Sequence, residues 1–213
     1  MQDELSFDKF NANADRIFRL TAKVSDVNAA VVPPALAYAI KTQLPAVKNA
    51  TRIAAAQEMI TVGTKKFDEK KMFYADSAFL QMFNYPLLKG NAATVLSSPN
   101  NVVITEATAI KYFGNADNAI GKTIYIDNDI KGTNLTVSGI LKNIPSNSHL
   151  KFDILLPIEL YDGTNNPAGA WNNFDVYVYF QLQNSVKPTS SALGNVQKQV
   201  NAILKKNNTE SGS

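Results

Sequence analysis

Apolar residues recur at helical spacing near both ends of the chain and at strand spacing between them. Phe7, Phe10, Ala14 and Ile17 fall at i, i+3, i+7 and i+10, a narrow apolar stripe on a helix. Leu193, Val196, Val200 and Ile203 repeat the spacing after Pro188, with Thr189 or Ser190 placed to cap the helix. Polar residues such as Asp8, Lys9, Gln197 and Lys198 occupy the other faces. Two arrangements satisfy these stripes. Each helix lies on a sheet, or the two stand side by side and bring the termini together, as a domain inserted in a loop of a membrane protein requires.

Between the ends the period changes repeatedly. Ile17–Val24 reads as a strand, and a helix runs from Pro33-Pro34 to Leu44, ended by Pro45. Two strands are expected at Ala50–Ala55 and Met59–Thr64. A hairpin with its turn at Asp68-Glu69-Lys70 follows. Asp76 is placed as the N-cap of a short helix carrying Phe79, Leu80, Met82 and Phe83. Val102-Val103-Ile104 is a short buried strand, and Thr105 caps a helix through Phe113, stopped by Gly114-Asn115. Gly121–Asp127 alternates with Ile124 and Ile126 on one face. Leu135, Val137, Gly139 and Leu141 alternate again, so the two segments predict an antiparallel pair. Strands are also expected at Leu150–Leu156 and around Val176–Leu182. The pattern is α+β, with mixed, mostly antiparallel sheets and short helices.

Composition narrows the chemistry. Of 213 residues, 45% are hydrophobic and 18% charged, which gives an ordinary globular core. The net charge of +3 with no basic run longer than two residues gives no footprint for nucleic acid. With no cysteine there is no disulfide, thiolate nucleophile or iron–sulfur cluster. No stretch approaches the roughly 18 apolar residues that span a bilayer. Met1-Gln2-Asp3-Glu4 is too polar for a signal peptide. Residues 209–213 are expected to be an appended tail.

Phosphate cradles are missing as well: neither G-x-x-x-x-G-K-[ST] nor G-x-G-x-x-G occurs among the ten glycines. Any nucleotide-driven process must draw on another chain or domain, and no cofactor or metal is expected. Asp127-Asn128-Asp129-Ile130-Lys131-Gly132 fails as a calcium loop, because Lys131 and Ser138 stand at the fifth and twelfth positions. His149 is the single histidine, and it follows a turn, where a side chain commonly satisfies backbone groups. Trp171, the single tryptophan, is either a plug in the core or a platform for a sugar or a partner.

Three segments carry a resemblance. The first is Ser6-Phe7-Asp8-Lys9-Phe10 with Asn13-Ala14-Asp15-Arg16-Ile17-Phe18-Arg19. The second runs from Asn101 through Glu106-Ala107 and Lys111-Tyr112-Phe113-Gly114 to Gly121-Lys122-Thr123-Ile124. The third is Val137 to Asp153, including Pro145, Asn147 and His149. In order and spacing they resemble the large extracytoplasmic loop of FtsX-like ABC transporter permeases, the MacB-type periplasmic core.

The resemblance implies a non-catalytic domain on the periplasmic side of the bacterial inner membrane, between the first two transmembrane helices. Its partners would be its own transmembrane helices, a cytoplasmic ATPase, and a periplasmic adaptor, lipoprotein or other extracytoplasmic protein, in a dimeric full-length permease. It also implies two subdomains. Residues 1–60 and 150–208 would form a membrane-proximal one with terminal stalk helices, and 61–149 an inserted distal one. Phe7, Phe10, Ile17, Leu193, Val196, Val200 and Ile203 would be the stalk-helix faces. Glu106, Phe113, Gly114, Gly121, Lys122, Pro145, Asn147 and His149 are motif residues with structural roles. Two other readings compete: a peptide- or glycan-binding module with Trp171 and Tyr177 or Tyr179 in its cleft, and a hydrolase using His149 or a pair among Asp153, Glu159, Asp162 and Asp175.

Overall fold

In the computed structural model, which describes residues 12–24, 27–127, 132–163 and 168–210, the alternating segments join one large sheet with helices packed on it. The first strand, β1 (Ile17–Arg19), joins the large sheet, whereas β2 (Ala22–Val24) and β3 (Val27–Ala29) pair with each other. The prolines at 33 and 34 open α1 (Ala35–Gln43), where a missing N–H costs nothing. That helix buries Leu36 and Ile40 and leaves Tyr38 in solvent.

The expected strands 50–55 and 59–64 are one strand, β4 (Val47–Val62), because a bulge between Ala56 and Glu58 absorbs the polar step instead of ending the strand. The hairpin to β5 (Lys65–Ala75) turns at Gly63, whose φ of +59° suits glycine, and not at 68–70. Glu69 is therefore a strand residue. Its buried carboxylate accepts from Lys111 Nζ at 2.6 Å and from the Tyr112 hydroxyl at 2.7 Å. Burial beside Glu69 holds the Tyr112 hydroxyl well above the usual phenol range.

After α2 (Phe79–Phe83), Asn84 at φ 50° turns the chain into β6 (Leu87–Lys89). Asp76 does not cap α2, because its side chain is taken by Arg52. Next come β7 (Asn101–Thr105) and α3 (Glu106–Phe113). Thr105 accepts from the Thr108 amide, and Gly114 ends α3 at φ +77°, as the sequence suggested. Strands β8 (Thr123–Asp127) and β9 (Thr133–Leu141) pair antiparallel with Ile124, Ile126, Leu135 and Val137 buried. The expected strand 150–156 begins only at Ile154, as β10 (Ile154–Pro157), although Leu150 and Phe152 are buried. The last elements are α4 (Ile158–Asp162), β11 (Tyr177–Leu182) and α5 (Ser190–Glu210). Thr189 Oγ1 accepts from the Ala192 amide, and α5 runs two residues into the expected tail.

Pairings β4–β5–β10–β7–β9–β8 lead back to β4, so six strands close a circuit that leaves few open edges. Only β5/β10 and β7/β9 are parallel among the described pairs, which makes the fold α+β and mostly antiparallel. One core gathers Ile60, Ile124, Val137 and the inner faces of α1 and α5. A second is aromatic: Phe79, Phe83, Tyr85, Phe152 and Tyr179 pack on the other side. The rings of Tyr85 and Phe152 meet edge to face at 5.2 Å, a geometry worth about 0.5–1.5 kcal/mol beyond its buried area.

The two expected terminal stripes fare differently. Val196, Val200 and Ile203 are buried and Leu193 packs beside them, so α5 lies against α1 and the core. Ile17 is not on a helix. A single 3₁₀ turn at Ala14–Arg16 gives way to β1, where Ile17 pairs with Gln181 and Phe18 stacks near Phe180. Backbone pairing with β11 outweighs the helical spacing there. Phe7 and Phe10 lie outside the described residues. Because β1 is antiparallel to β11, the chain comes in at Ile17 beside where it leaves at Gln181. Arg16 tightens that junction by donating from Nη1 to the carbonyls of Gln183 and Val186, at 3.1 and 2.9 Å.

Candidate functional site

Arg52 is the most unusual residue of β4: a guanidinium in the otherwise uncharged run from Ala50 to Ala56, only 9% exposed. Burying it requires partners. Asp76 supplies a fork, with Nη2 to Oδ1 at 2.8 Å and Nε to Oδ2 at 3.2 Å, and Oδ2 also accepts from the Arg52 amide at 2.6 Å. Asp162, at the end of α4, takes Nη1 at 2.7 Å. The next carboxylate along, Asp175, accepts from the Tyr161 hydroxyl at 3.0 Å.

Two acids thus share one guanidinium, and Asp175 adds negative charge beside Asp162. Burial opposes the Arg52 charge, but Asp76 and Asp162 outweigh it and hold the group above its ordinary range. Asp162 is pushed up, first by burial and further by Asp76 and Asp175, with Arg52 offsetting part of the rise.

Above this cluster lies a cleft of about 550 Å³. Small residues, among them Pro34, Ala39, Ala50, Ala78 and Gly169, line it together with Lys41 and Gln43, and Arg52 and Asp76 form the floor. Trp171 packs partly against the core and also lines the cleft. Tyr38, 76% exposed, projects from α1 at the rim. Tyr177 and Tyr179 are elsewhere, in contact with the aromatic core.

The other singled-out residues are scattered. The His149 ring is exposed, with Nε2 3.1 Å from the Tyr179 hydroxyl, while the neighbouring Ser148 hydroxyl is engaged with Tyr85 at 2.9 Å. Pro145 shapes a turn whose carbonyl, with that of Ser146, accepts from Lys151, and Asn147 is exposed on it. Glu106 and Gly114 border a second cleft, of about 480 Å³, with Leu88 and Ile110. Phe113 is half-buried against the first core, Lys122 is exposed, and Gly121 adopts φ +77°. Asp153 fixes strands through its backbone, joining the Lys71 carbonyl to the Thr105 amide. Glu159 is exposed on α4. The structure does not bring His149 to the carboxylate cluster. Arg52, Asp76 and Tyr38 were missed, although a lone arginine in an otherwise uncharged run was a usable signal.

The profile of the MacB-like periplasmic core domain matches residues 1–199. The chain belongs to that family. Solved structures agree in fold. A domain of a protein classed as a permease from Porphyromonas gingivalis is 26% identical, with a TM-score of 0.72 over 89% of this chain and 86% of that one. The periplasmic region of MacB from Actinobacillus actinomycetemcomitans is 13% identical, TM-score 0.65, over 91% and 86% of the two chains. The extracellular domain of the noncanonic ABC-type transporter YknZ from Gram-positive bacteria is 16% identical, TM-score 0.60, over 91% and 94%. No curated protein matches the sequence. As a MacB-like periplasmic core domain, the chain is a periplasmic domain of the MacB/FtsX-like permease class. Among its described residues no helix is long and apolar enough to cross a membrane.

Proposed function

We propose that this MacB-like domain is a non-catalytic lever: ATP hydrolysis on the cytoplasmic side moves it, and its movement handles a partner or substrate outside the inner membrane. The observation that carries the reading is the junction of Ile17 with Gln181 and of Arg16 with Val186, which joins the incoming and outgoing chain at one edge of the sheet. A domain driven from two flanking transmembrane helices needs such a junction. The 21 residues of α5 are anchored along Val196, Val200 and Ile203, so a pull on its far end reaches the core and not a loop. A helix of that length spans about 30 Å. In this reading residues 61–149, which contribute most of the six-strand circuit, form the membrane-distal part, and the full permease acts as a dimer.

A short Gly/Ser insertion after Asn208 in the full-length permease tests the lever, because a flexible linker cannot transmit force. ATP hydrolysis and the folded domain are expected to persist while transport or partner activation is lost. Transport at the parental rate with the insertion in place would refute the proposal.

A further inference from the structure

The lever makes no use of the cleft beside Trp171. From its composition we infer that it binds a neutral saccharide. Charge selects the ligand class first. An anion reaching Arg52 would meet Asp76 and Asp162, and a cation reaching Asp76 would meet the guanidinium 2.8 Å away. Lys41, the other charged residue on the lining, is exposed and adds a donor there. A neutral polar ligand meets neither penalty.

Its hydrogen-bonding capacity fits hydroxyl groups. After its bonds to Asp76 and Asp162, Arg52 keeps one N–H on each terminal nitrogen. The Asp76 side chain is still 24% exposed, with acceptor capacity to spare. Donors and acceptors therefore alternate on one floor, beside the hydroxyl of Ser77. Vicinal hydroxyls, each both donor and acceptor, match that alternation better than groups that only donate or only accept.

Shape completes the case. Trp171 and Tyr38 offer aromatic faces for the C–H side of a sugar ring, and the walls of alanine, proline and glycine leave room for one. The volume of about 550 Å³ lies within the range of roughly 300–1,000 Å³ typical of small-molecule sites.

Trp171 is the only tryptophan, so intrinsic emission reports on this cleft directly. The 213-residue chain would be titrated with maltotriose, cellotriose and triacetylchitotriose, and with trilysine, triglutamate and capped trialanine as controls. At least one trisaccharide is expected to change the emission saturably in the millimolar range. Tyr38→Ala should weaken that binding about tenfold while leaving thermal unfolding unchanged, since the ring is outside the core. The inference is overturned by no saturable change with any trisaccharide, by unchanged affinity in Tyr38→Ala, or by tighter binding of any tripeptide. None of these results bears on the lever, which makes no use of the cleft.

Discussion

Arg52→Ala is expected to lower the unfolding free energy by about 3–5 kcal/mol, because it removes a buried guanidinium and leaves two half-buried carboxylates without their counter-charge. In thermal unfolding that corresponds to a fall in Tm of roughly 6–20 °C for a domain of this size. Asp162→Asn is the contrasting variant. Burial and the neighbouring acids raise the folded-state pKa of Asp162. The native state therefore holds its proton to higher pH than the unfolded chain does. The contribution of this group is most favourable below the ordinary carboxylate range and declines as pH rises from there through its raised folded value. The Asn variant lacks that decline. Its stability relative to the parent should rise with pH across the window, and at neutral pH it should cost less than about 1 kcal/mol, with Arg52 still held by Asp76. Urea unfolding of both variants at several pH values measures this. Equal losses in the two would mean that the cluster is not organised around Arg52.

Gly90→Ala is expected to destabilise the domain by about 2–4 kcal/mol, combining backbone strain with overpacking. Gly90 sits at φ +97°, and a Cβ there would stand 2.6 Å from Val95 Cγ1 and 2.8 Å from the Ser138 carbonyl oxygen. The backbone oxygen cannot swing aside as a flexible side chain could. Gly139 faces it across the same contact, with its Cα 3.1 Å from the added atom. Gly121→Ala separates the two causes. At φ +77° with nothing within 4 Å, it carries the left-handed penalty alone, about 1–2 kcal/mol. The gap between the two variants in urea unfolding gives the steric part. If Gly121→Ala costs as much as Gly90→Ala, close packing at the β6–β9 edge is not the cause.

Local signals were legible wherever local physics decides. The alternation of Ile124 and Ile126 with Leu135 and Val137 specified the β8/β9 pair, and Thr105 with Gly114 bounded α3. The stripe on α5 was readable for the same reason. Other features depend on partners far along the chain. Ile17 continues a helical spacing but gains more from pairing with a strand that lies at Gln181. Asp76 has the chemistry of a cap, yet a guanidinium 24 residues earlier competes for it and wins. Glu69 looks like a turn residue until Lys111 and Tyr112, more than 40 positions later, are brought against it. The candidate cleft was half-legible. Trp171 stood out by its rarity, whereas Arg52 needed Asp162, 110 residues away, to make sense of its burial.

The lever reading is tested most directly by watching the domain move. The chain has no cysteine, so Lys198→Cys on the exposed face of α5 gives each domain of a full-length permease one spin-label position. The label-to-label distance between the two protomers of the proposed dimer, measured by pulsed electron spin resonance in membranes, would be compared between nucleotide-free and ATP-trapped states. The lever predicts two distinct distance distributions that interconvert with nucleotide. Superimposable distributions in a permease that is hydrolysing ATP would contradict it.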